Sequence, residues 1–224
     1  TIPLLNNIFD NWKSTKNFKK IETIVNPEWK NNEKHTIINT PDKANCMYIA
    51  GSIYELMDTS PEYEALLIGN YLLGGGALSS RLSDNVRTKQ GLSYAVGSQF
   101  RADHEDCVAS FLVYAIANPE NTPKVIESIK ETIDTFLNEG PSESELNSAI
   151  DSYLKLRKGN RASDTDLASL LLKNLSIDRT MKHYAESDKK ISELTVDKVK
   201  DAIRQYFQTD SLIGITAGDF DSIK

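Results

Sequence analysis

Arg87 and Tyr94 stand seven residues apart with Gly91 between them, inside the stretch GGGALSSRLSDNVRTKQGLSYAV that runs from 74 to 96. A guanidinium presents planar N–H donors to carbonyl oxygens, and a phenol presents one hydroxyl donor. Set across a helix end, a glycine corner and a strand entry, the pair has the chemistry to hold a peptide main chain or a developing oxyanion. The same residues have a plain structural reading. An Arg near a helix C-terminus complements the helix dipole, and a Tyr in a strand packs against its neighbours.

Other chemistry finds little support. Gly74, Gly75 and Gly76 suggest a phosphate cradle, but a P-loop ends in Lys and Ser or Thr, and no Lys follows these glycines until Lys89. A dinucleotide loop follows a strand, whereas this run follows a helix-like segment. The chain has three histidines, His35, His104 and His183, and a zinc-binding helix needs two of them four residues apart. His104-Glu105-Asp106-Cys107 is rich in ligand types, yet neighbouring strand residues point to opposite faces, and the run reads as a solvated hairpin tip. The residues thus nominate no metal-binding or cofactor-binding position, and no nucleophile–base arrangement.

The elements that must position Arg87 and Tyr94 follow from periodicity. His35 to Asn39 and Asn45 to Tyr54 alternate as strands, joined by a Pro41-Asp42 turn. Ser60-Pro61-Glu62 starts a helix, with Ser60 as its cap, that carries Ala65, Ile68, Leu72 and Leu73 on one face and stops at Gly74. Leu78 to Lys89 forms a second helix with Gly91 just past its end. Ser93 to Arg101 and Cys107 to Ala117 alternate again.

Beyond them the chain turns helical. Val125, Ile129, Ile133 and Phe136 make an amphipathic stripe, and Ser142 with Glu145 fits a capping box. Asp164 to Leu175 and Thr195 to Phe207 are further helices, and Ser211 to Ala217 is a last strand. The order predicts an α+β fold, a two-layer antiparallel or mixed sheet. Helices from 61–73, 124–138, 142–158 and 164–176 are expected on one face of it.

Hydrophobic residues make up 39% and charged residues 26% of 224 residues, as in a soluble globular protein. No apolar run approaches the roughly 18 residues that span a bilayer. A net charge of −6 argues against a nucleic-acid partner. Residues 1–34 depart from that balance, with six Lys against four carboxylates and no sustained period. They read as an interdomain linker or the end of a preceding domain, leaving 35–224 as one domain. Cys46 and Cys107 are too few for a disulfide framework; each sits in an alternating run and reads as a buried thiol.

The run LGGGALSSRLSDNVRTKQGLSYAVGS resembles the C-terminal half of the pitrilysin/insulinase family of zinc metallopeptidases. FDNWKS, VYAIANPENTPKVIESI, LKLRKGNRASDTDLASLL and the ending ITAGDF fit as well, so the likeness covers nearly the whole chain. The resemblance implies a half-domain similar to those of mitochondrial processing peptidase. In that family an N-terminal domain binds zinc through H-x-x-E-H and a distant Glu, and two halves close around the substrate.

Arg87 and Tyr94 match the Arg and Tyr of the family motif that the non-metal half contributes to the active site. By that resemblance Arg87 contacts substrate main chain and Tyr94 supports the carbonyl oxygen during attack. The expected function is the C-terminal, non-metal domain of a zinc-dependent metalloendopeptidase, forming part of its substrate chamber and inactive alone. Its expected partners are the zinc-bearing N-terminal half, on the same polypeptide or a separate subunit, and a peptide substrate. Zinc belongs to that other half. The alternative is a non-catalytic interaction domain, and the presence of both Arg87 and Tyr94 favours the enzyme. Large bacterial members are commonly exported, so the compartment leans toward the periplasm.

Overall fold

A computed structural model of the protein describes residues 2–10, 12–25, 34–76 and 80–222. Strand alternation sets its centre. β1 (His35–Asn39), β2 (Cys46–Tyr54), β3 (Ala95–Ala102), β4 (Ala109–Ala117) and β5 (Ile213–Gly218) form one sheet in the order β1-β5-β2-β4-β3. β1 runs parallel to β5, and every other pairing is antiparallel. Along β4, Phe111, Val113, Ala115 and Ala117 are buried and alternate with half-buried residues on the other face. Cys46, Tyr48 and Ala50 of β2 share the buried face by register. The opposite face carries Met47, Ile49 and Ile53 of β2 and Ile215 of β5, all exposed.

β3 and β4 are joined by the turn expected around His104, where the N–H groups of Glu105 and Asp106 donate to Asp103 Oδ1 at 2.8 and 2.9 Å. Those two bonds favour the ionised form and hold the Asp103 carboxyl below its usual range. The turn is longer than alternation suggested, so Cys107 lies in it and is exposed. That corrects the reading of a buried thiol. Cys46 is buried as expected, its Sγ 2.9 Å from Thr122 Oγ1.

Seven α-helices accompany the sheet among the described residues: α1 (Ile2–Phe9), α2 (Tyr63–Asn70), α3 (Thr122–Glu139), α4 (Glu143–Ala162), α5 (Asp164–Ser176), α6 (Met181–Ser192) and α7 (Val196–Tyr206). The stripe on α3 is buried as its period demands: Val125, Ile129, Ile133 and Phe136 join Phe111 in one core. Phe207, just past α7, stacks on Phe111 with ring centroids 4.0 Å apart. Such a pair adds about 0.5–1.5 kcal/mol beyond the area it buries. α4 opens on the predicted capping box, with Glu145 N–H on Ser142 Oγ and Ser142 N–H on Glu145 Oε2.

Three details differ from the sequence reading. α2 begins at Tyr63, because the Ser60 hydroxyl accepts from Met57 N–H instead of capping the helix. α5 does not cover the sheet: it packs on α4, buries only Asn174, and leaves Leu171, Leu172 and Leu175 exposed. α1 adds a short helix with no buried residue, and residues 12–25 form no helix or strand. That N-terminal stretch is fastened at Lys20, whose Nζ lies 2.7 Å from Glu105 Oε2 and 2.9 Å from Asp106 Oδ1.

Candidate functional site

The helix that opens the glycine run does not stop at Asn70. It widens into a π-helical turn over Tyr71–Gly75, closed by Gly76 N–H donating to Tyr71 O at 2.9 Å. This turn lies on β3. A Cβ at Gly74 would sit 2.4 Å from the backbone nitrogen of Ser98, closer than real Cβ contacts come. Ser98 in turn donates to Asn70 Oδ1 at 2.8 Å. Gly74 is therefore present because two backbones meet there, which is one of the few uses that justify its entropic cost.

The helix expected over Leu78 to Lys89 is seen from Arg81 onward, and residues 77–79 lie outside the described residues. It too is mostly π-helical, over Ser83–Lys89. Single π turns occur frequently at functional sites. Leu82 and Val86 are fully buried and anchor it. Asn85 Nδ2 donates to Thr132 Oγ1 at 2.7 Å, and Gln90 Nε2 donates to Ser128 Oγ at 2.9 Å, so two polar side chains tie the helix to α3.

Two arginines on this helix are treated differently. Arg81 turns inward: Nη2 lies 3.0 Å from both Glu145 carboxylate oxygens and 3.2 Å from Gly140 O, and the guanidinium sits over the Phe136 ring at 4.7 Å. Arg87 is exposed, and its side chain makes no hydrogen bond or ion pair among the described residues. Arg81 holds α3 and α4 to this helix. Arg87 holds nothing.

The corner between Arg87 and Tyr94 is rigid. Gly91 has φ +64° and no atom within 4 Å of where a Cβ would stand, so its conformation requires glycine where its surroundings do not. Gly91 N–H donates to Arg87 O at 3.1 Å and Leu92 N–H to Val86 O at 3.0 Å, capping the helix. Tyr94 N–H donates to Ile116 O at 2.8 Å and enters β3. Its side chain is 63% exposed, and its hydroxyl has no partner among the described residues. Backbone bonds thus fix both ends of one corner while both side chains are left displayed. The tethers Asn85 and Gln90 carried no signal in the sequence, because their partners Ser128 and Thr132 come from a distant helix.

The described side chains offer zinc no ready site. His35 Nε2 is engaged with Thr216 Oγ1 at 2.5 Å. His104 stands beside Asp103 at 3.7 Å. His183 lies against Arg179, and burial followed by that guanidinium hold it below the ordinary histidine value. No group of three or more His, Cys, Asp or Glu among the described residues is placed to hold a metal ion.

The fold is that of the inactive half-domain of zinc peptidases, and comparison with known proteins agrees. The family model described as "Peptidase M16 inactive domain" matches residues 1–153. The chain belongs to that family. The protein of Bacillus subtilis called "Uncharacterized zinc protease YmxG" is 25% identical over 156 residues, covering 68% of this chain and 36% of the relative. A second, "Uncharacterized zinc protease SCO5738" of Streptomyces coelicolor, is 35% identical over 86 residues, 38% of this chain and 18% of the relative.

Among solved structures, the peptidase M16 inactive domain from Pseudomonas fluorescens superposes with a TM-score of 0.71 at 24% identity, covering 82% of this chain and 43% of that one. A protease from Helicobacter pylori gives 0.75 at 17% identity, covering 96% and 51%. The chain spans about a third of the length of the YmxG relative and about half of these structures. The resemblance to pitrilysin-type peptidases holds at the level of family and fold. No helix among the described residues is long and apolar enough to cross a membrane.

Proposed function

We propose that this chain is the non-metal half of a zinc metalloendopeptidase, and that it presents Arg87 and Tyr94 to a peptide held by a zinc-bearing half. The observation that carries this reading is the display of both side chains, unpartnered among the described residues, from a corner whose backbone is hydrogen-bonded at Gly91, Leu92 and Tyr94. A rigid mount with free donors suits electrostatic stabilisation, because the donors need not reorganise as charge develops. Arg87 directs its planar donors at substrate carbonyl oxygens; Tyr94 donates to the carbonyl oxygen as it becomes an oxyanion. The zinc-bearing half supplies the activated water.

The uncovered sheet face, with Met47, Ile49, Ile53 and Ile215 exposed, is the surface this domain turns toward the substrate chamber. Residues 1–34 serve as the linker from the preceding half, and 35–224 form the domain. Two facts support that division: α1 buries nothing, and the relatives named zinc proteases are longer than this chain. An exported location accords with the periplasmic protease PqqL of Escherichia coli, which shares the fold at a TM-score of 0.65.

The test is Arg87→Ala in the complete enzyme, with kcat and KM measured on a quenched fluorescent peptide. Main-chain contacts exist in ground and transition states alike, so KM should rise together with a loss in kcat. Unchanged kcat/KM would leave Arg87 without a role in substrate handling.

A further inference from the structure

A cleft with a volume of about 630 Å³ lies away from the Arg87 corner, between the start of α2, the end of α6 and α7. Its wall holds four carboxylates, those of Glu62, Glu64, Glu193 and Asp201, against the ammonium groups of Lys190 and Lys198. A cluster of surface carboxylates is ordinary. Glu64 is not ordinary. It is only 3% exposed, and its Oε2 is buried without a hydrogen-bond partner among the described residues. Buried carboxylate oxygens are nearly always paired, because leaving one unmet costs much of its hydration.

The nearest cation is Lys190, whose Nζ stands 3.8 Å away, beyond hydrogen-bond range, on a side chain that is 58% exposed. An ammonium so placed lies over the carboxylate without closing on it. The rest of the lining is Pro61, Ala65, Leu194 and Ala202, with the polar side chains of Thr59 and Gln205; Ala65 and Ala202 are buried and Leu194 packs against the core. A buried carboxylate beside the apolar surface of Pro61, Ala65 and Leu194 matches an alkyl stem that ends in a charged nitrogen.

We propose that this cleft is a binding site for an alkylammonium or alkylguanidinium group, which displaces Lys190 and donates hydrogen bonds to Glu64. The group arrives either on a lysine or arginine side chain of a polypeptide or as a free polyamine. Glu62, Glu193 and Asp201 raise the local concentration of such cations and serve any second charge the ligand carries. Lys190 acts as a tethered competitor that keeps Glu64 from standing bare when the cleft is empty.

Isothermal titration calorimetry of the protein with spermidine, with Nα-acetyl-lysine methylamide and with Nα-acetyl-arginine methylamide tests this, using the norleucine analogue as the uncharged control. Saturable binding at one site is expected for the cations and none for the norleucine compound. Tighter spermidine points to a free polyamine; tighter amino-acid amides point to a polypeptide side chain. Glu64→Gln should weaken binding at least tenfold. Lys190→Met should tighten it, because the competitor is gone, and added cation should raise the melting temperature of that variant more than that of the parent. The proposal is overturned by absence of saturable binding for all three cations, or by affinity that Glu64→Gln leaves unchanged. Should Glu64→Gln fail to fold, the Lys190 variant decides alone: affinity equal to or weaker than the parent refutes the displacement.

Discussion

Replacing Arg81 and Arg87 by Ala, one at a time, should separate an arginine that holds the fold from one that is displayed. Arg81→Ala removes a guanidinium from the face of Phe136, from the Gly140 carbonyl and from the Glu145 carboxylate. The ring contact accounts for about 1 kcal/mol at a partly buried site. The hydrogen bond to the carbonyl accounts for about another 1 kcal/mol. Glu145 is 40% exposed, so its ion pair is discounted for solvent to about 0.5 kcal/mol. The sum is about 2–3 kcal/mol, and in a chain of this size each kcal/mol moves the melting temperature by about 2–4 °C. Arg81→Ala should therefore melt about 4–12 °C lower. Arg87→Ala, exposed and unpartnered, should stay within about 0.5 kcal/mol of the parent. Thermal unfolding followed by circular dichroism at 222 nm, both variants in one buffer, measures the difference. Equal shifts, or the larger shift for Arg87, would refute the division of roles.

Other outcomes are open to measurement. Gly91→Ala forces an L-residue into φ +64° and should cost about 1–2 kcal/mol by chemical denaturation, although no atom crowds the new methyl; no loss would mean the corner relaxes freely. His183 has a folded value held below its unfolded one by burial and by Arg179, so the unfolded chain takes up the proton first as pH falls. The stabilisation it gives is present above the unfolded value of about 6.5 and is lost as pH drops through that value toward the folded one. The urea midpoint should fall between about pH 7.5 and 5.5, and His183→Gln should flatten that fall. Elemental analysis of the dialysed chain should find no stoichiometric zinc; one tightly held zinc per chain would contradict its reading as the non-metal half.

The sheet was legible because alternation and burial are the same fact seen twice. β4 buries every second residue from Ala109 to Ala117 as its alternation predicted, and the stripe on α3 is buried at the four positions its period named; β1 lies where His35 to Asn39 predicted but buries no residue. The capping box at Ser142 was legible for the same local reason. Failures came where distant packing decides. Periodicity showed that α5 has apolar residues but not what would cover them, and most of Leu171, Leu172 and Leu175 meets solvent. Cys107 continued an alternating run in sequence, yet the Asp103 turn claimed it. The π turns at 71–75 and 83–89 left no signal, since one extra residue per turn does not disturb an apolar pattern so short. The sequence singled out Arg87 and gave no role to Arg81. What separates them is Phe136 and Glu145, contributed from more than 50 residues away.

The central claim is that Tyr94 serves the reaction and not the fold, and Tyr94→Phe in the complete enzyme tests it most directly. The change removes one hydroxyl that has no partner among the described residues, so the melting temperature should not move. Loss of one oxyanion donor typically lowers kcat by about 10²–10³, equivalent to about 2.7–4 kcal/mol. A fall in kcat of that order at unchanged melting temperature is the predicted result. Parental kcat, or a loss of activity that tracks a loss of stability, would contradict it.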